Sequence, residues 1–320
     1  MDNKQLSIVV IFHDMQREGR RTLYSLSTAY QTDVDASEYE VIAIDNGSAH
    51  PLTADEVQGH GPNFRYHFFT TEAVSPVDAI NAGVGMATGE YVAVLVDGAR
   101  MATPGLVRGA LKGVQMFPEP FVCALSWHLG PDLQGRSMQK GYDQAEEDQL
   151  LASIRWPEDG YRLFEISTIA PSSKYGFFGG IPPECSWFAL SRATFLKMGG
   201  FESRFRSPGG GFVNHDFRNR ALSMPNVTPV VLLGEGVFHQ FHGGVATNVR
   251  TQDLPPTLEL FGEEHLEIRG TRTPFLKAAP ASDPFYIGSL KPAARPFLNP
   301  RLTYSNSGFR AFLPRRFHRF

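Results

Sequence analysis

Glu40-Val41-Ile42-Ala43-Ile44-Asp45-Asn46-Gly47-Ser48 is the stretch whose reading decides the fold. Residues 39–44 form a short, largely apolar run with β-branched side chains, which reads as a buried strand. Asp45-Asn46-Gly47-Ser48 is turn chemistry and closes it. Upstream, residues 6–12 make a second run of this kind, ended by the polar pair His13-Asp14. Between the two, Leu23, Leu26 and Tyr30 fall at i, i+3 and i+7, with Arg17, Glu18, Arg20 and Arg21 at the start and outer face, so a helix is expected there. Downstream, residues 65–69 read as a third strand. Ser75-Pro76 then offers an N-cap and a proline for the first helical turn, and Val77, Ile80, Val84 and Ala87 make one apolar stripe that Gly89 stops. Residues 91–96 are the next strand, with Asp97 at its carboxyl end, and Pro104 opens a helix running through Leu111. Strands alternating with helices predict an α/β fold with a mostly parallel, twisted sheet flanked by helices. Ligands of such sheets bind outside the carboxyl ends of the strands, where His13, Asp14, Asp45 and Asp97 all stand.

The rest of the chain is less regular. Residues 131–171 show one charged helix at 146–154 and then loop. From Ser186 the expected order is a short strand, an amphipathic stretch at 192–198, the turn Gly199-Gly200, the loop Gly209-Gly210-Gly211, a helix from Asn214 and a strand at 230–233. Beyond about residue 250 proline increases and periodicity fades, which reads as an extended tail, 251–320, packed on a domain of residues 1–250. Lys and Arg number 30 against 33 Asp and Glu, a net charge of −3, which argues against a nucleic-acid partner. The apolar runs are strand-length, so no transmembrane segment is expected. The first residues lack the pattern of a secretory signal, and the two cysteines, Cys123 and Cys185, make neither a disulfide framework nor a Cys-based zinc site. A cytoplasmic location is the default expectation.

Taken in order, these segments resemble a family 2 type glycosyltransferase with the GT-A nucleotide-sugar fold, a Rossmann-like sheet. The pieces carrying the resemblance are Ser7-Ile8-Val9-Val10-Ile11-Phe12-His13-Asp14, the stretch at 40–48, Asn81-Ala82-Gly83, then Ala87-Thr88-Gly89-Glu90-Tyr91-Val92 leading into Leu95-Val96-Asp97, and later Gly199-Gly200-Phe201-Glu202 and Asp216-Phe217-Arg218-Asn219-Arg220. It implies a nucleotide-binding half at 1–127 and an acceptor half at 128–250. It also implies donor contacts from His13, Asp14, Asp45, Asn81 and Asp97, with the Asp45 carboxylate on the base; Arg100, where the sequence departs from the family, is a further candidate contact. An Asx-type turn is the structural alternative for Asp45, and a helix cap for His13 and Asp14. The implied activity is inverting transfer of a sugar from a nucleotide-diphosphate sugar to a carbohydrate or other hydroxyl acceptor, as in glycan or polysaccharide synthesis.

The sequence departs from the family where a metal-binding D-x-D is expected, because Asp97-Gly98-Ala99-Arg100 lacks the second carboxylate. A divalent cation, Mn²⁺ or Mg²⁺, is left open. Arg100 either takes over part of its charge on the diphosphate or is a surface arginine. The resemblance brings His239 or His242 to Asp97 as a late metal ligand; an extended segment would send the two rings to opposite faces, so that one reaches the site. Asp216, with Asn214 beside it, is the candidate general base, against a structural ion pair with Arg218 or Arg220. Trp187, Phe188 and the loop at 175–180 are candidates to stack on a sugar ring, or else core. The basic, aromatic hexamer at 315–320 suggests a peripheral contact with anionic lipid or an acidic partner, or a solvated tail. The rival classes are a non-catalytic nucleotide-sugar-binding protein and another nucleotide-dependent α/β enzyme. Against the latter, Phe12-His13-Asp14-Met15-Gln16 contains no G-x-G-x-x-G.

Overall fold

In the computed structural model, residues 4–183, 185–250, 252–274 and 283–298 are described. Strand β1 (Leu6–Phe12) is flanked by two parallel neighbours, reached by helical crossovers on opposite sides. α1 (Gln16–Leu26) leads to β2 (Tyr39–Asn46); α2 (Ala54–Gln58), β3 (Phe64–Phe69) and α3 (Val77–Met86) lead to β4 (Tyr91–Leu95). Then follow β5 (Arg100–Ala102), α4 (Leu106–Val114), β6 (Pro120–Leu129), α5 (Gln134–Ser137), α6 (Gln144–Ser153), β7 (Ser167–Ile169), β8 (Trp187–Ser191), α7 (Arg192–Lys197), α8 (Val213–Leu222), β9 (Thr228–His239), α9 (Pro255–Arg269) and β10 (Phe285–Gly288). The sheet runs β10-β9-β6-β8-β4-β1-β2-β3, with β5 on β9 and β7 on β6.

Every residue of β1 and β2 is buried. The two-residue period of β1 divides its side chains between two cores: Ile8, Val10 and Phe12 pack with Leu23, Leu26, Leu106 and Leu111 on one face, and Val9 and Ile11 pack with Val77, Ile80 and Val84 on the other. Each fully buried aliphatic side chain contributes about 1.5–3 kcal/mol, so a charged residue at Val9 would remove the seat of α3. A Cβ at Gly83 would press on Val9 and Ile44, so the absence of a side chain lets α3 lie this close to the sheet.

The second half differs from the sequence reading in three places. β8 runs antiparallel between β4 and β6, which makes the sheet mixed. Its alternation sends Trp187 into one core and Phe188 into the other, where Phe188 stacks on Phe121 and Phe217 at 5.4 and 5.1 Å; both aromatics pack the interior rather than a sugar ring. β9 extends past 230–233 to His239. The segment after 250 contains the fifteen-residue α9, and β10 adds a parallel strand to β9, in place of a wholly extended tail. The hexamer at 315–320 lies outside the described residues. Among the described residues, no helix is long and apolar enough to cross a membrane.

Candidate functional site

The strand order reverses beside β1, and the register places three residues at one level there. Phe12 lies opposite Asp45, while Val10 lies opposite Leu95, so Asp97 is, like Phe12, two residues beyond a matched pair. With strands about 4.8 Å apart, Asp45 and Asp97 stand roughly 10 Å from each other across the tip of β1. Such a switch point is where open α/β sheets take nucleotides.

Asp45 is buried. Its Oδ1 accepts the Ser48 N–H at 2.9 Å, the Asx-type turn foreseen as the structural alternative, whereas Oδ2 has no hydrogen-bond partner. A buried carboxylate oxygen without a donor is costly unless a ligand supplies one. His13 and Asp14 bind the loop around it: His13 Nδ1 donates to the Asn46 carbonyl at 2.9 Å, the Asp14 N–H donates to Ser48 Oγ at 2.8 Å, and Asp14 Oδ1 accepts from the His50 N–H at 2.9 Å. Both side chains are exposed beside the loop they hold.

At the other end, Gly98 donates its N–H to the Ile11 carbonyl at 2.7 Å, and a Cβ there would collide with that oxygen and with Phe12, so the turn after β4 demands glycine. The turn delivers the chain to β5, which pairs with β9 so that Arg100 lies opposite His239. Asp97 Oδ1 accepts the Ala99 N–H at 3.0 Å, and Oδ2 faces His239 Nε2 at 3.0 Å and His242 Nε2 at 3.6 Å. The two ring nitrogens are 3.2 Å apart. Both histidines therefore reach Asp97, contrary to the expectation of one. β9 ends at His239, and a turn folds the next residues back instead of continuing the strand. One ligand atom from each of Asp97, His239 and His242 lies within 4.8 Å of the others, and three such groups can hold a cation. Burial lowers the His239 pKa to about 4. Burial also opposes charge on Asp97, but the two imidazoles overcome it and hold the carboxyl well below its usual range; His242 is raised because attraction to Asp97 outweighs its burial.

Arg100 is buried beneath this cluster, its guanidinium donating to Ser126 Oγ at 2.8 Å with Nε 3.7 Å from Asp97 Oδ2, so it is no surface arginine and is placed to orient Asp97. Two further expectations meet a different arrangement. The Asn81 side chain donates to the Phe201 carbonyl and accepts the Phe201 N–H, both at 2.9 Å, and so fastens α3 to the 199–201 turn. Asp216 is buried with both oxygens held: Oδ1 accepts from Arg269 Nε at 2.6 Å, and Oδ2 accepts from Arg220 Nε at 2.9 Å and from a terminal nitrogen of Arg269 at 3.1 Å. A carboxylate with both oxygens engaged by guanidiniums is held as a fastener between elements. The partner Arg220 was foreseen; Arg269, in the region read as tail, was not. Asn214 is half-buried in the first turn of α8, and its Oδ1 accepts the His215 N–H. Sequence reasoning also missed Gln134, Thr247 and Asn248, which surround His239 and carry no motif.

A mostly parallel, mixed sheet flanked by helices, with Asp45 and the Asp97–His239–His242 cluster on either side of its switch point, has the architecture of the GT-A fold. Residues 7–97 match the model of glycosyl transferase family 2. The chain resembles the crystal structure of S. aureus TarS with a TM-score of 0.52 at 13% identity, covering 82% of this chain and 40% of that one. It resembles S. aureus TarS 1–349 in complex with UDP-GlcNAc with a TM-score of 0.50 at 13% identity, covering 82% of this chain and 66% of that one. At such identity the likeness concerns the fold, and this chain spans less than two thirds of the length of either. No curated protein matches it.

Proposed function

We propose that this protein is an inverting glycosyltransferase that takes a nucleotide-diphosphate sugar and transfers the sugar to a hydroxyl acceptor. The observation that carries the reading is the pairing, across one strand tip, of the unpartnered Asp45 Oδ2 with the Asp97–His239–His242 cluster. Asp45 would accept an N–H of the base, and the His13–Asp14 turn would shape the wall beside it. The cluster suits a divalent cation because its atoms converge from a carboxylate and two imidazoles, with Arg100 behind. Two nitrogen donors in place of a second aspartate favour Mn²⁺ over Mg²⁺, which prefers an all-oxygen shell. A cation held there would neutralise the diphosphate leaving group. Since a relative of this fold is described in complex with UDP-GlcNAc, a UDP-sugar is the first donor to try.

The clasp on Asp216 and the amide at Asn214 favour one second reading, a domain that binds a nucleotide sugar without transferring it. Calorimetric titration of UDP with and without Mn²⁺, together with donor hydrolysis, separates the readings. The proposal expects Mn²⁺-dependent UDP binding, its loss on Asp45→Ala and slow hydrolysis of a UDP-sugar. Binding without hydrolysis or transfer supports the second reading, and UDP affinity indifferent to Asp45→Ala overturns both.

A further inference from the structure

We propose that Gln134 and Asn248 form a two-amide relay that fixes the tautomer of His239 and the turn carrying His242, and thereby decides whether the Asp97 cluster can accept a cation. The inference deepens the cation reading above and rests on it. The protons can be placed by elimination. The backbone N–H groups of His242, Gly243 and Gly244 each reach Asn248 Oδ1 at 3.0 Å, and because an N–H can only donate, that atom is the amide oxygen. Asn248 Nδ2 is then a donor, and its partner at 2.8 Å is Gln134 Oε1. The orientation of Gln134 follows, with its Nε2 donating to the His239 carbonyl at 2.9 Å. The same Gln134 Oε1 lies 2.7 Å from His239 Nδ1. An amide oxygen has no proton to give, so Nδ1 carries it, and a neutral ring then presents at Nε2 a lone pair toward which His242 Nε2 and Thr247 Oγ1 can donate; Asp97 Oδ2, also an acceptor 3.0 Å away, is balanced by the His242 ring rather than by a His239 N–H.

That lone pair is aimed at the place where Asp97 Oδ2 and His242 Nε2 converge, with Thr247 Oγ1 3.1 Å away and able to donate to it. The opposite tautomer would put an N–H there and exclude a cation. Gln134 and Asn248 are both buried, so water does not readily replace either amide. Neither amide touches the cation position; both are positioning residues that act through the histidines, as outer-shell partners do at other metal centres.

The variants that separate this role from packing are Asn248→Asp and Gln134→Glu. Asn248→Asp keeps acceptors for the three N–H groups but removes the donor to Gln134, which inverts the relay. Gln134→Glu still accepts from both His239 Nδ1 and Asn248 Nδ2, which preserves the relay while giving up the donor to the His239 carbonyl. The readouts are the His239 tautomer, from long-range ¹H–¹⁵N spectra of the metal-free full chain, and Mn²⁺ affinity by electron paramagnetic resonance. The expected result is the Nδ1–H form in the wild type and in Gln134→Glu. Asn248→Asp is expected to show the Nε2–H form and to bind Mn²⁺ about 10–100-fold more weakly. An Nε2–H wild type, or equal effects of the two variants on Mn²⁺ affinity, overturns the relay. The wild-type spectrum decides the tautomer even if Asn248→Asp does not fold. A wild type with Nδ1–H that binds no Mn²⁺ defeats the cation reading while supporting the tautomer assignment.

Discussion

Replacing Asp216 by Asn tests whether a carboxylate that looks catalytic in the sequence is a fastener. Asp216 joins α8 to α9 through Arg269, and to the turn after α7 through Arg220, which also donates to the carbonyls of Met198 and Gly200 at 3.0 and 2.6 Å. Removing one partner of a buried ion pair costs about 3–5 kcal/mol, since the remaining charge stays behind uncompensated. Here the arginine side chains are 26% and 29% exposed, so solvent relieves part of that charge and about 2–3 kcal/mol is expected. Urea denaturation of the wild type, Asp216→Asn, Arg269→Met and the double variant gives the coupling, which should be about 1 kcal/mol or more if the clasp is real. Donor affinity and turnover are measured on the same preparations. The clasp predicts that any loss of turnover in Asp216→Asn tracks its loss of stability and is shared by Arg269→Met. Wild-type stability and donor affinity in Asp216→Asn, with turnover abolished, would refute the clasp and restore Asp216 as the general base.

Glu235 offers a test by pH, because burial pushes its carboxyl up to about 7 from an ordinary 4.5 despite hydroxyl donors from Thr103 and Tyr161. A raised native pKa means the stability contributed by this group is full below about 4.5 and lost as pH rises through about 7, an effect of about 3 kcal/mol. Glu235→Gln should therefore gain stability relative to the wild type on going from mildly acidic to mildly alkaline pH; parallel thermal melts that keep a constant gap between the two proteins would contradict this. Asn81→Ala should lose about 2 kcal/mol by stranding the N–H and carbonyl of Phe201 while leaving UDP affinity unchanged. A tenfold fall in affinity at wild-type stability would instead make Asn81 a donor contact.

The first hundred residues were legible because their information is local. A β-branched run, a turn tetrapeptide and a capped apolar stripe each specify an element without reference to distant chain, and a polar residue ending a strand must stand at the strand tip. Asp45 and Asp97 could thus be located on the ligand side of the sheet from sequence alone. Strand direction is another matter: a two-residue period reads alike in both directions, so the antiparallel insertion of β8, and with it the burial of Trp187 and Phe188, came from packing. The tail held α9 unrecognised because its apolar residues only partly line one face, and Phe261 and His265 are buried while Leu258 and Leu260 remain exposed.

The sequence by itself determined the first half of the sheet, from its alternating elements to the carboxylates at the strand tips, since those follow from periodicity and turn chemistry within short windows. Only the tertiary structure decided that His239 and His242 meet at Asp97, that Arg269 reaches back to Asp216, and that Gln134 and Asn248 set the protons around His239. Each depends on hydrogen bonds or ion pairs between elements distant in the chain or on the exact folding of a turn, and no local pattern of residues records them.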